Sequence, residues 1–555
     1  MRKLTITLLV TALVAAFAPV GRTDTTALAL VQVPFDSQAE AAYLLSNFDE
    51  THNHSAEAVE LLLWPGDAEE LRALGFEYEV ITPDIFARDL ALSLGPQPVV
   101  ELPGPDRSTY RRLVDYNAEL QELADKNPDL VKHFETKRPS LEGRPVYGVE
   151  IAANVKKEDG RPIFYMDAVH HAREWPASEY TINYAWYLVE EYGKNPQITS
   201  LLKKARVIIV PIVNVDGFDY SRESIFSIEE NIAHQTSPMG AGNGFEGYWR
   251  KNRRSLSGVT VPVAQRNPDA FGVDPNRNYA YLWGDSNGGS SGNQLDQTYR
   301  GEAPFSEPEV ANVRDIILSR PVTGVITNHT YQNSVLRTGG GDAPEDDILV
   351  RIAQRMADIL GYENNPTVGY PTTGTTDDWA YAAMASFGFT IEHGGSGFHP
   401  PYAEGVGERN DKAMKAFTVM LEASADPKYH SVITGKVADG KAKLTLLKNF
   451  RTPLSEGNPT GKEAIKEKQR MTLSTEKDGT FEWHVGPSSR PYEKKTERYT
   501  LLIQRKGLFK SMKVRVARGE RLNLGTIRFP KNGALIDIMP LPEDPDDGSD
   551  GLPPR

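Results

Sequence analysis

Apolar and polar positions along the chain fall into three successive textures. In the first, short apolar runs alternate with helical patterns: Leu30-Val31-Gln32-Val33, Ala39 to Phe48, Val59 to Leu63, Ala68 to Leu74 and Tyr78 to Ile81. This predicts a small α+β unit over 28–95. Pro96, Pro98, Pro103 and Pro105 then predict an extended linker, and a domain boundary with it. Over 105–427 Val/Ile-rich runs alternate with amphipathic helical patterns. Ser108 is the expected N-cap of a helix carrying Tyr110, Leu113, Leu120 and Leu123 on one side, with Pro128 beyond its end. Ile163 to Val169, Val207 to Val213, Gly324 to Asn328 and Phe387 to Ile391 read as strands, and Ser178 to Tyr192 as a helix. Such alternation predicts an α/β domain, its central mixed sheet flanked by helices. Functional groups are then expected beyond the strand ends, where His171, His329 and Glu392 stand. The third texture, over 431–530, is short alternating segments with a hairpin signal at Asp478-Gly479, and predicts a β-sandwich. The stretch 541–555 is acidic and rich in Pro and Gly, and is expected to be a disordered tail.

The extreme N-terminus changes this picture. Arg2 and Lys3 precede an apolar run from Leu4 to Val20, and small residues such as Ala16 and Ala18 lie near its end. Residues 1–27 are read as a signal peptide, which places the mature chain outside the cytoplasm, secreted or periplasmic. No second apolar stretch is long enough to span a membrane. The 555 residues contain no cysteine, which excludes disulfides, thiolate metal sites and a cysteine nucleophile. A bound metal must therefore use His and carboxylates. The net charge of -13 argues against nucleic acid as a partner.

Candidate chemistry centres on the run His170-His171-Ala172-Arg173-Glu174-Trp175. Residues three apart project to one side of a helical turn, so His171 and Glu174 can reach one ion. Zinc accepts that nitrogen and oxygen set. His329, after a strand candidate, supplies a third donor. Two His and one Glu leave a position for water, the composition of a catalytic zinc site.

Six segments now occur in a recognisable order: His171-Ala172-Arg173-Glu174-Trp175, Tyr248-Trp249-Arg250-Lys251-Asn252, Gly272-Val273-Asp274-Pro275-Asn276-Arg277-Asn278, Asn328-His329-Thr330-Tyr331, Asp378-Trp379-Ala380-Tyr381 and Phe387-Gly388-Phe389-Thr390-Ile391-Glu392. The chain resembles, over Pro105 to Asp426, the zinc metallocarboxypeptidases related to pancreatic carboxypeptidases A and B. The resemblance implies a carboxypeptidase-like α/β fold and one zinc ion, held by His171, Glu174 and His329. His170 competes as first ligand but lacks the spacing to Glu174. Glu392 matches the carboxylate that activates water, and Arg250 the stabiliser of the oxyanion. Asn276 and Arg277 match the groups that hold the substrate's terminal carboxylate. Arg173 and Tyr331 match positions touching the substrate upstream of the scissile bond. Tyr370 matches the tyrosine that closes over substrate. Asp377 matches the pocket floor and implies acceptance of C-terminal Lys or Arg, with a helix cap as its alternative role.

By position, the N-terminal unit resembles the family's activation segment, and the expectation is a zymogen opened by proteolysis near residues 89 to 105. The C-terminal module resembles transthyretin-like, regulatory-like sandwiches. The expected activity is release of single C-terminal residues from peptides and proteins by a monomeric enzyme. An amidase or deacylase on the same scaffold and a non-catalytic binding homologue are the competing classes; retained Asn276, Arg277 and Tyr370 weigh against the first, and retained Glu392 and metal ligands against the second.

Overall fold

The computed structural model describes residues 27–55, 57–64, 66–85, 88, 107–222, 245–255, 272–285, 289–338, 346–366, 372–455, 464–486 and 496–529. Most of the expected leader, the four linker prolines, Tyr370 and the expected tail lie outside them. Among the described residues no helix is long and apolar enough to cross a membrane.

Strands β1 (Ala29–Pro34), β2 (Asp49–His54), β3 (Ala58–Leu63) and β4 (Glu79–Thr82) form a sheet in the order β2-β3-β1-β4. Successive side chains of a strand point to opposite faces, and here both faces are buried. Val31, Val33, Leu61 and Leu63 pack with Leu44, Leu45 and Phe48 around the helix Gln38–Asn47. Leu30 and Leu62, one residue out of phase, pack instead with Tyr248, Tyr331 and Phe398 of the following region. The N-terminal sheet therefore has its second face against the rest of the chain. Strand β2, Asp-Glu-Thr-His-Asn-His, has no apolar alternation and was not predictable from pattern.

The next region carries an eight-stranded mixed sheet in the order β11-β10-β12-β9-β7-β8-β6-β5. Its strands are β5 (Val131–Glu135), β6 (Tyr147–Ile151), β7 (Ile163–Ala168), β8 (Arg206–Val210), β9 (Val322–Thr330), β10 (Ser334–Arg337), β11 (Glu363–Asn365) and β12 (Phe387–His393). The inner strands β8, β7, β9 and β12 run parallel and are buried throughout, as the Val/Ile-rich runs require. The helices Trp175–Glu191, Asn410–Ala425 and Thr376–Met384 pack against this sheet. Chain order reverses at β7, with β8 on one side and β9 on the other, and the crevice beyond the strand ends at such a point is where α/β sheets bind ligands.

Several local expectations need correction. The first helix of this region starts at Leu113 with Arg112 as N-cap, not at Ser108, because Asp115 accepts the Arg112 backbone N–H and closes the first turn there. His171 and Glu174 do not share a helical turn. They lie in the loop after β7, closed by Glu174 N–H to His171 C=O at 3.2 Å, and Glu174 is the N-cap of the helix Trp175–Glu191. His329 and Glu392 sit inside β9 and β12, not after them. Asp478-Gly479 turns the chain but makes no hairpin, since the strands Ile465–Ser474 and Thr480–Val485 on either side belong to different sheets.

Those two sheets form the last region. One is β16 (Thr480–Val485), β13 (Ser431–Val437) and β19 (Arg521–Ile527); the other is β15 (Ile465–Ser474), β14 (Lys443–Thr452), β17 (Thr496–Arg505) and β18 (Leu508–Ala517). Leu444, Leu446, Met471, Leu473, Ile433, Phe481 and Trp483 are buried in their common core.

One buried acid tests the packing of the middle region. Glu309, in the first turn of the helix Pro308–Ser319, is buried beside Glu307 and Asp216, and burial is the main cause that pushes its carboxyl up to about 8 from 4.5. The folded chain then keeps a proton that the unfolded chain releases above about pH 4.5, so this group's contribution to stability falls as pH rises from about 4.5 to 8. Glu309→Gln mimics the protonated acid. Between pH 5 and pH 8 it is expected to gain on the parent chain by up to roughly 4 kcal/mol, read from denaturant midpoints at both pH values.

Candidate active site

Register assembles the site. β9 and β12 are parallel neighbours with His329 paired to Glu392, so both side chains leave the same face on strands about 4.8 Å apart. β7 lies on the other side of β9, and the loop beyond it delivers His171 and Glu174 to the same end of the sheet. One ligand atom from each of His171, Glu174 and His329 lies within 4.8 Å of the others, all three residues buried. His171 Nδ1 is 2.6 Å from Glu174 Oε1, and His329 Nδ1 is 2.8 Å from Glu174 Oε2.

The two Nδ1 atoms face one carboxylate because the other ring nitrogens are engaged elsewhere. His171 Nε2 is 3.2 Å from Asp274 Oδ1, and His329 Nε2 is 3.3 Å from the Asn276 amide. A carboxylate on one ring nitrogen favours the tautomer that leaves the opposite nitrogen as a lone-pair donor. Burial alone would raise the Glu174 carboxyl, but His171 and His329 outweigh it and hold it well below the usual range. Two imidazoles and an ionised carboxylate, with no sulfur donor, are a ligand set suited to zinc.

His170 is turned away. Its Nε2 meets Tyr279 Oη at 2.8 Å and Thr376 Oγ1 at 2.9 Å, and burial holds its pKa well down. It braces the wall of the site and stays outside the three-ligand cluster.

Asp274, within the run Gly272 to Asn278, is a hub. One oxygen faces His171 and the other accepts Arg250 Nε and Nη2 at 3.2 and 3.0 Å. Burial would raise its carboxyl, and Arg250 with His171 holds it well below the ordinary range. The available signal was an acid one proline before the Asn276-Arg277 pair. Asn276 accepts both the N–H and the hydroxyl of Thr376 on Oδ1, at 3.0 and 3.1 Å. Arg277 donates Nε to Gly289 C=O at 2.6 Å and Nη1 to Asn276 C=O at 2.9 Å. Asp377 is buried in the first turn of the helix Thr376–Met384. Burial raises its carboxyl, while the Thr375 and Thr390 hydroxyls and the N–H groups of 377 and 378 offset part of that. The helix begins at Thr376 with Thr375 as its N-cap, so Asp377 is an acid of the first turn and not the cap.

Arg173 and Tyr331 are held by the N-terminal sheet. Arg173 Nη1 and Nη2 donate to Asp49 Oδ2 and Oδ1 at 2.6 and 2.7 Å, with the Phe398 ring 4.2 Å below the guanidinium. Tyr331 Oη donates to Glu60 Oε1 at 2.6 Å. Asp49 and Glu60 carried no sequence signal, since each is one acid among many until the two regions meet. Tyr370 lies outside the described residues.

The sequence profile of zinc carboxypeptidases matches residues 116–412, more than half of the chain. Human carboxypeptidase B is 26% identical over 306 residues, covering 53% of this chain and 65% of that protein, just under two thirds of its length. Mouse carboxypeptidase A4 is 29% identical over 349 residues, 59% of this chain and 74% of its own. Mouse carboxypeptidase A1 is 25% identical over 405 residues, 70% of this chain and 83% of its own. Among solved structures, carboxypeptidase A from Helicoverpa armigera superposes with a TM-score of 0.56 at 22% identity, covering 72% of this chain and 97% of that one. Thrombin-activatable fibrinolysis inhibitor gives 0.55 at 20% identity, covering 72% and 98%. These two likenesses concern the fold. With the profile match lying across the sheet, the His-Glu-His cluster and the Asp274 hub, the chain belongs to the zinc carboxypeptidase family, whose members are metallocarboxypeptidase hydrolases.

Proposed function

We propose that this chain is an exported, zinc-dependent carboxypeptidase that removes single residues from peptide and protein C-termini and is kept latent by its own N-terminal sheet. The observation that carries the reading is the convergence of His171, Glu174 and His329 with Glu392 in register beside them. Zinc, when held by those three ligands, supplies a Lewis acid that acidifies water and polarises a carbonyl. Glu392 takes the proton of the attacking water and hands it to the departing amine. Arg250, aimed by Asp274, presents a permanent positive charge to the oxyanion that forms. Asn276 and Arg277 grip the terminal carboxylate of the substrate, and a guanidinium exchanging neutral carbonyls for a carboxylate gains strength in its hydrogen bonds. A peptide with an amidated end offers no such anion.

Asp377 supports a preference for Lys or Arg at the terminus, because a buried carboxyl gains from an arriving cation. Latency is supported by Arg173 and Tyr331, whose polar ends are occupied by Asp49 and Glu60. Export is supported by the run Leu4 to Val20.

With protein cleaved between residues 89 and 105, a peptide with a free terminus is expected to lose one residue while its amidated twin survives, and chelation followed by added zinc abolishes and restores turnover. Equal cleavage of both twins would favour the amidase reading. Glu392→Gln is expected to lower kcat by about 10²- to 10⁴-fold with zinc content unchanged by elemental analysis. For specificity, peptides ending in Arg are expected to be hydrolysed faster than those ending in Leu, and Asp377→Ala to reverse the order. An Arg/Leu ratio of one in the parent enzyme would remove the basic preference. For latency, Asp49→Asn leaves the buried Arg173 without its ion pair, a change worth about 3–5 kcal/mol. The uncleaved variant, verified intact by mass spectrometry, is expected to turn over at least about tenfold faster than the uncleaved parent.

A further inference from the structure

The long sheet of the C-terminal region buries more than a sandwich needs. Strands β14, β15, β17 and β18 have ten residues each, whereas β13, β16 and β19 of the opposing sheet have six or seven. Register places Leu444 and Leu446 of β14 beside Leu473 and Met471 of β15, and these form the apolar half of one face. Further along that face Lys448, Thr452, Glu467 and Gln469 are buried as well, with Phe450 among them. A polar surface is not buried without partners at no cost. Its cover is the catalytic region, through the helices Pro308–Ser319 and Thr376–Met384.

Two points of that contact reach the active site. Trp379 Nε1 lies 3.2 Å from both carboxylate oxygens of Glu467, which also accepts the Thr452 hydroxyl. Immediately after Thr452, the carbonyl of Pro453 accepts the Leu282 N–H at 3.0 Å. Trp379 is fully buried, two residues beyond Asp377 and three beyond Thr376, the residue that fixes Asn276. Its ring lies 5.7 Å from Tyr279 and 5.3 Å from Phe305, centroid to centroid, and Tyr279 follows Arg277 by two. One corner of the β-sandwich thus grips both segments that carry the site's carboxylate-facing residues. The grip is directional: a buried carboxylate leaves a large penalty when its donor moves, so the indole is confined to one orientation.

We infer that Glu467 and Trp379 are positioning residues through which the C-terminal sandwich sets the geometry of Asn276, Arg277 and Asp377. That Asn276, Arg277 and Asp377 hold substrate rests on the proposed carboxypeptidase activity; the mechanical coupling does not. Two readouts on the full chain keep the questions apart. In hydrogen exchange, Trp379→Phe and Glu467→Ala are expected to speed exchange in peptides covering 275–285 and 372–384, while β5, β6 and the helix Leu113–Lys126 keep parental protection. In kinetics on cleaved enzyme, each is expected to raise KM for a free-terminus peptide about three- to tenfold, with kcat within twofold and zinc content unchanged. The double variant is expected to match the larger single effect, because both substitutions remove one contact. Unchanged exchange in those two segments, or exchange that rises evenly across the chain, overturns the inference. So does additive behaviour of the pair. A parent enzyme without peptidase turnover refutes the proposed function alone, and exchange still decides the coupling. Should Glu467→Ala fail to fold, Trp379→Phe, which keeps an aromatic ring in place, decides it.

Discussion

The pairing of β9 with β12 is the constraint on which the site depends. These strands are parallel and paired from Gly324 to Thr330 against Phe387 to His393, which makes His329 and Glu392 immediate neighbours. Side chains alternate with period two, so a slip of one residue would send one of them to the opposite face. The slip is prevented by burial: every position of both strands is buried, with Val325, Ile326, Phe389 and Ile391 held between helices. Gly388 and Gly324 add to this. A Cβ on Gly388 would come within 2.5 Å of the Asp377 carbonyl, and one on Gly324 within 2.4 Å of the Ser424 hydroxyl. Helices can therefore lie close on the sheet only in one register.

Around that frame the site collects charge that water would otherwise solvate. Glu174, Asp274, Arg250, His171 and His329 are all buried. Isolated burial of any one would be costly, and each instead faces an opposite charge or a ring nitrogen. Asp274 matters most here, because it orders a candidate ligand and a cation at once. The N-terminal sheet extends the same logic by bringing Asp49 to Arg173 and Glu60 to Tyr331, under an apolar seal of Leu30, Leu62 and Trp64. The cover thus combines nonspecific apolar area with two directed polar contacts, and the polar contacts set where it sits.

Much of the catalytic region was legible in the chain. Val/Ile-rich runs marked β7, β8, β9 and β12 because strands buried on both faces need apolar residues at every position. Residue types alone pointed to His171, Glu174 and His329 as a metal set, and Arg250, Asn276, Arg277 and Glu392 were legible only through the resemblance of six ordered segments to one enzyme family. Local geometry was less so. His171 and Glu174 were expected on a helix and lie on a loop, since three-residue spacing suits a tight turn as well as a helical one. Polar β2 was invisible because its stability comes from pairing with β3, not from its own composition.

The sequence by itself determined the kind of chemistry available: nitrogen and oxygen ligands without thiols, a carboxylate base, permanent cations, and strands able to carry them. Those are properties of residue types and short spacings. Tertiary structure alone decided that His170 turns to Tyr279 and Thr376, that Asp274 is shared by His171 and Arg250, that Asp49 and Glu60 occupy Arg173 and Tyr331, and that Glu467 reaches Trp379. Each of these joins side chains whose meeting depends on how whole elements pack. The free energy that selects the partner comes from desolvation shared among distant segments, and no local pattern carries that information.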